Sequence, residues 1–334
     1  MQHFNVNLSR RSLLKAATFG AIATAIPPLL TSTGAAQEAR TSSNPVFYRF
    51  RLGNFQAISI TDGILTAPAA LFATNASPQQ LKQVLSDSFQ SASLLAHCNI
   101  LFVDTGRNKV LIDTGSGVLS GPTAGRLQTN LSTLGIRPTE IDTIIITHAH
   151  SDHIGGVTDA AGKLVFPKAR YFVSQTEADF WTDPKVSLPK MKWEEEQKKQ
   201  MIAAAQKQLG VIRGRMTKFT VNQEIIPGFS AIPAPGHTPG QVAIRISTGD
   251  TILVHTADVV HNQAINLWNP NWQPAFDADP VQAAQTRQQI LEMVASERRL
   301  MFAYHFPFPG LGYVRPRNGG GFTWEPAVWQ FDPA

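Results

Sequence analysis

Short apolar runs bounded by turn residues alternate along this chain with stretches of helical spacing, a rhythm that predicts strands and helices mixed through one α+β domain. A strand is expected at 57–60, ending at Asp62-Gly63, and a hairpin joins 100–103 to 109–112 across Gly106-Arg107-Asn108. Ser77-Pro78 pairs a capping hydroxyl with a proline at the first helical position, which opens a helix through Leu81, Val84 and Leu85. A second helix is predicted over 123–134, stopped by Gly135. The segment 141–146 is nearly all apolar, so its strand needs cover on both faces. Further strands are expected at 229–233, 242–246 and 252–254, then a helix at 280–294 and a final strand at 300–303. The long polar helix predicted at 191–209 carries Glu194-Glu195-Glu196 and Lys198-Lys199, which reads as a solvated face rather than a binding patch. Nothing between 37 and 334 repeats or reads as a linker, so this stretch is expected to be a single domain.

Composition adjusts that picture at its N-terminal end. The chain has 334 residues, 43% of them hydrophobic, and a formal charge of +5. Arg10, Arg11 and Lys15 supply three of the five charges and no acid precedes Glu38, so residues 37–334 carry only +2. That is too little to argue for nucleic acid. Residues 1–36 combine Arg10-Arg11, an uncharged stretch from 16 to 33 and a small-x-small site at Gly34 and Ala36. They resemble a twin-arginine export signal cleaved after Ala36, which predicts a periplasmic or secreted protein. The alternative, an uncleaved anchor, is disfavoured because Gly20, Pro27 and Pro28 cut the apolar span well below the ~20 residues a crossing needs. Cys98 is the sole cysteine, so no intramolecular disulfide forms; it reads as a small buried residue, a reactive thiol being the alternative.

The candidate chemistry lies in Thr147-His148-Ala149-His150-Ser151-Asp152-His153. His148 and His150 are two apart at a strand end, so they share a face, and a tight turn before Gly155-Gly156 would fold Asp152 and His153 back towards them. Packing gives no reason for three imidazoles and a carboxylate in six positions, whereas metal binding does. Three more candidate ligands follow predicted strands: His237 in Gly236-His237-Thr238-Pro239-Gly240, Asp258 after 252–257, and His305 before Phe306-Pro307-Phe308-Pro309-Gly310.

This pattern resembles the metallo-β-lactamase superfamily over essentially the whole of 37–334. Within it the chain looks most like the methyl parathion hydrolase-like branch, through Asp113-Thr114-Gly115, Gly121-Pro122-Thr123, Ala178-Asp179-Phe180-Trp181 and the two turns around His237 and His305. The resemblance implies a four-layer αββα sandwich with two divalent metals at its edge. It implies that His148, His150 and His237 hold one ion, that Asp152, His153 and His305 hold the other, and that Asp258 bridges them. It further implies attack by a metal-bridging hydroxide, Asp152 and Asp258 being the catalytic carboxylates, in a homodimer. Zinc leads the candidate metals, with manganese, iron and cobalt as alternatives.

Ile64, Leu65, Leu119, Ser120, Trp181 and Trp268 are candidates for an apolar pocket beside the metals. The branch members that cleave aryl phosphotriesters tend to carry an aromatic near the position of Ser120, so serine there shifts the expected substrate to a lactone or aryl ester. Phosphotriester hydrolysis is the alternative, followed by a nuclease and by a non-catalytic metal-binding protein. His255 reads as a packed strand residue or a hydrogen-bond partner of the bridging Asp258, and His261 as a residue of the pocket mouth or the surface. His97 precedes a core strand.

Overall fold

In the computed structural model, which describes residues 44–331 except 120 and 222, the strands form two seven-stranded sheets. The first holds β1 (Phe47–Leu52), β2 (Phe55–Pro68), β3 (Ser93–Asp104), β4 (Lys109–Ile112), β5 (Thr143–Ile146), β6 (Arg170–Ser174) and β7 (Met216–Phe219), side by side in chain order. The second holds β8 (Glu224–Ile226), β9 (Phe229–Pro233), β10 (Val242–Thr248), β11 (Thr251–His255), β12 (Leu300–Phe302), β13 (Leu311–Pro316) and β14 (Phe322–Pro326), again in chain order. β1 to β4 pair antiparallel and β4 to β7 parallel; in the second sheet only β11 and β12 are parallel. Parallel neighbours need long crossovers. The helices supply or accompany them: α1 (Pro78–Asp87), α2 (Leu127–Thr133), α3 (Ser151–Ile154), α4 (Gln175–Thr182), α5 (Glu195–Ile212), α6 (Ile265–Trp268) and α7 (Pro280–Ser296).

β5 shows why Ile144, Ile145 and Ile146 run without a polar break. Ile145 packs between the sheets with Val103, Phe172, Ile244 and Phe302, while Ile144 and Ile146 face outward onto Leu131 of α2 and Trp181 of α4. On the far side, Ile290, Leu291 and Val294 of α7 cover Ala243, Val254 and Met301 of the second sheet. Three apolar layers between four layers of backbone make the αββα sandwich. Cys98 lies fully inside, where burial pushes its thiol pKa up to about 12, so it is a packing residue.

Several expectations need correction. β2 does not end at Asp62-Gly63 but continues to Pro68 through an irregularity between Thr61 and Gly63, where φ of +128° suits glycine. The strand at 300–302 is followed by β13 and β14, whose alternating or partial exposure hides them in a hydropathy reading. α2 starts at Leu127 rather than 123, and α5 at Glu195 rather than 191. The Ser77 cap forms as expected, its hydroxyl accepting from Gln80 N while the Gln80 side chain accepts from Ser77 N. The export segment expected at 1–36 and the pocket candidate Ser120 lie outside the described residues. Among the described residues no helix is long and apolar enough to cross a membrane.

Candidate metal centre

Every candidate ligand sits just beyond the C-terminal end of a strand. His148 and His150 follow β5, with Asp152 and His153 on α3, which begins immediately after His150. His237 follows β9, Asp258 follows β11 and His305 follows β12. The two sheets meet here: Val242 N of β10 donates to Thr147 O beyond β5, at 3.1 Å. As a result the ligand atoms gather into three overlapping groups, each within 4.8 Å: His148, His150 and His237; Asp152, His153, Asp258 and His305; and His237, Asp258 and His261.

The rings are held from behind. His153 Nδ1 donates to Asp113 Oδ2 at 2.8 Å, His237 Nδ1 to Asp277 Oδ1 at 2.8 Å, and His305 Nδ1 to the His97 carbonyl at 2.8 Å. The Thr147 hydroxyl donates to Asp113 Oδ2 at 2.7 Å, so its oxygen accepts from His148 Nδ1 at 3.1 Å. Each of these four rings therefore carries a proton on Nδ1 and turns Nε2 inward, towards the other ligand atoms. The Nε2 atoms of His148, His150, His153 and His237 and Oδ1 of Asp258 are buried without a hydrogen-bond partner. Buried polar atoms are normally paired, so orphaned donors converging from two sheets fit divalent ions and are poorly explained by packing.

Asp258 stands at the junction. Its Oδ2 lies 3.3 Å from His237 Nε2, 3.2 Å from His305 Nε2 and 3.8 Å from His148 Nε2, while Oδ1 is 3.0 Å from His153 Nε2 without hydrogen-bond geometry. Burial opposes its charge, yet the surrounding rings of His153, His305 and His261 hold its pKa well below the usual carboxylate range. The imidazoles divide. Burial, with the neighbouring rings adding to it, keeps His148 and His150 well below the ordinary histidine value. Against the same burial, Asp258, Asp152 and Asp113 push His153 up to about 10, and Asp258 with Asp277 pushes His237 up to about 9.

A cavity of about 830 Å³ opens onto these groups. Its floor includes His150, Asp152, His237, Asp258 and His305, and its wall is largely apolar: Leu65, Leu71, Phe72, Leu119, Met201 and Phe276. Neither lysine nor arginine occurs among the described residues that line it. Of the pocket candidates, Leu65 and Leu119 line this cavity. Ile64, Trp181 and Trp268 do not line it: Trp181 is fully buried, its indole donating to Glu177 Oε1 at 2.6 Å, and Trp268 packs on the outer core with the Arg317 guanidinium 4.7 Å from its ring. His255 is a packed strand residue stacked on Phe302. His261 lines the cavity, its Nε2 3.2 Å from Asp258 Oδ2 and its ring parallel to that of His305.

The residues behind the ligands are poorly marked in the sequence. Asp113 stands out only as part of Asp113-Thr114-Gly115, and Asp277, Glu177 and Tyr304 belong to no motif. Tyr304 stacks on His153 at 3.9 Å and its hydroxyl donates to Asp152 O at 2.6 Å. Asp113 and Tyr304 at least stand beside a strand end; Glu177 and Asp277 carry no local signal.

Two sheets faced by helices, with histidine and aspartate donors gathered at strand ends, define the class, and residues 95–305 match the model of the metallo-β-lactamase superfamily; the chain belongs to it. Among solved structures the chain is similar to AidC, a dizinc quorum-quenching lactonase solved with a product. The two share 33% identity and a TM-score of 0.81, over 85% of this chain and 98% of that one. Among curated relatives, a probable metallo-hydrolase of Mycobacterium tuberculosis is 25% identical over 191 residues, which is 50% of this chain and 57% of the relative. The N-acyl homoserine lactonase of Bacillus cereus is 24% identical over 182 residues, 54% of this chain and 62% of the relative. The chain thus spans less than two thirds of the length of these curated relatives.

Proposed function

We propose that this protein is a metal-dependent hydrolase that opens lactones. The observation that carries the reading is the cavity: an apolar wall free of lysine and arginine among its described residues, closed at its floor by orphaned imidazole nitrogens and carboxylates. A neutral, apolar acyl compound suits such a wall, whereas a phosphodiester would arrive with a charge that nothing on it balances. The likeness to AidC and to the Bacillus cereus lactonase supports the same choice.

On this reading His148, His150 and His237 hold one ion and Asp152, His153 and His305 the other, with Asp258 shared. Zinc is the metal we expect from so many nitrogen donors, ahead of manganese, iron and cobalt. The chemistry that divalent ions supply in such a cluster is Lewis acidity towards the acyl oxygen and activation of water at neutral pH. The chain's own residues do the rest. Asp258 would offset part of the repulsion between two cations with its negative charge. The side chain of Asp152, 15% exposed at the cavity floor, is placed to carry a proton to the ring oxygen that leaves. Phe72, Leu119, Met201 and Phe276 keep water from the acyl group and orient it. Export through the twin-arginine route and a homodimeric state belong to the same proposal.

The test is a substrate panel on purified protein of known metal content: N-acyl lactones, aryl esters and phosphotriesters, before and after chelation and with zinc restored. Lactone opening that disappears on chelation and returns with zinc is the expected result. Turnover of phosphotriesters with no cleavage of lactones or aryl esters would reverse the substrate assignment.

A further inference from the structure

Glu177 takes no part in the chemistry above, yet it is fully buried beside the site and belongs to no ion pair among the described residues. It sits in the first turn of α4, and its two oxygens accept four hydrogen bonds. Oε1 takes Ala149 N at 2.9 Å and Trp181 Nε1 at 2.6 Å; Oε2 takes the Thr238 hydroxyl at 2.7 Å and Gly240 N at 3.0 Å. Ala149 lies between His148 and His150, and Thr238 follows His237. One carboxylate therefore ties the loop after β5 in the first sheet to the loop after β9 in the second.

The attachment is close as well as bonded. The Ser174 hydroxyl donates to Gly240 O at 2.6 Å and accepts from Glu177 N, and a Cβ on Gly240 would come within 2.0 Å of Glu177 N. Only glycine lets that turn lie directly on α4. Three of these partners, Ala149 N, Trp181 Nε1 and Gly240 N, can only donate, so the carboxyl group is held chiefly as an acceptor. Burial pushes its pKa up, and the bonds from Thr238, Ala149, Trp181 and Gly240 oppose that. A buried anion without a cation is costly. A neutral side chain could join two loops at lower cost, but charge-assisted bonds from four fixed donors hold both in one geometry.

Resting on the metal-site reading above, we propose that Glu177 is the positioning residue of the His148, His150 and His237 cluster: it sets the spacing of two loops from different sheets and so determines how tightly that cluster binds its ion. The rings it governs are already at close quarters, with centroids of His150 and His237 4.5 Å apart and of His148 and His237 4.8 Å apart.

The experiment is zinc titration of the full chain against a chromophoric chelator, with 15N-histidine NMR to assign which rings each ion occupies. In the parent protein two ions bind. In Glu177→Gln the ion on His148, His150 and His237 is expected to bind about 10- to 100-fold more weakly, while the other changes by less than about threefold. Thr238→Val and Trp181→Phe each remove one of the four donors and should weaken the same ion by about 3- to 10-fold; they carry the test if Glu177→Gln does not fold. Equal weakening of both ions, or a lowered melting temperature with zinc affinities unchanged, overturns the proposal. Failure of the parent chain to take up zinc at all would instead overturn the metal-site reading beneath it.

Discussion

The two groups of candidate ligands, which share Asp258 on the reading proposed above, are prepared in opposite ways. In the first, burial keeps His148 and His150 neutral, and the geometry comes from loops of two sheets pinned by Thr147, Asp277 and Glu177. In the second, Asp152 and His153 are neighbours on α3, and carboxylates overcome burial to keep protons on His153 and His305, both raised above the ordinary histidine range. The first cluster has two neutral rings held at a set distance and one proton to release, from His237; the second has two to release, from His153 and His305. The difference teaches that similar donors can owe their affinity to different physics: loop geometry in one, charge exchange in the other.

The largest expected effect comes from removing what the clusters share. Asp258→Ala should lower lactone turnover by at least about 10³-fold, since Lewis-acid stabilisation is worth several kcal/mol and each 1.36 kcal/mol is a factor of ten. Metal analysis should find its content reduced from two ions per chain to one or none. Two retained ions with near-parental turnover would mean that Asp258 joins nothing.

pH separates the clusters next. Metal ligation needs neutral imidazole, so affinity should rise with pH in both clusters as protons leave. Filling the second displaces protons from both His153, near 10, and His305, also raised; filling the first displaces one, from His237 near 9. Below those values the apparent affinity should climb by about two log units per pH unit in the second cluster and about one in the first. Chelator competition at pH 6.5, 7.5 and 8.5 measures both slopes, and equal slopes would erase the distinction.

The smallest effect sharpens it further. Asp113→Asn should weaken the ion on His153, and Asp277→Asn the ion on His237, each by about 10- to 100-fold and each in its own cluster. Cobalt spectra of the two variants report which coordination sphere has changed. Identical spectra from both would show that the clusters are not separately supported.

Much of this site is legible in the chain because ligand residues at strand ends carry local signals. β5 reads as doubly covered since all of 143–146 is buried, and the histidines follow at once. Glu177 and Asp277 carry no such mark: the ligand-loop partners of each lie 28 to 63 residues away. The cavity wall was hard to read for a related reason. A tryptophan buried in the core and one facing ligand space look alike in sequence, so Trp181 was expected on the wall, while Met201 of the polar helix α5 and Phe276 were not. His261 lies three residues beyond Asp258, but only the turn after β11 brings its Nε2 onto that carboxylate.

Sequence by itself determined the mixture of strands and helices, the strand ends that present chemistry and the identity of the ligand-type residues, because hydrophobic period and residue type act locally; the sandwich followed from the family resemblance those residues carry. Tertiary structure alone decided which nitrogens face inward, which carboxylates stand behind them and where the cavity opens. Those depend on hydrogen bonds between loops of different sheets, and no local pattern encodes a partner that only folding brings near.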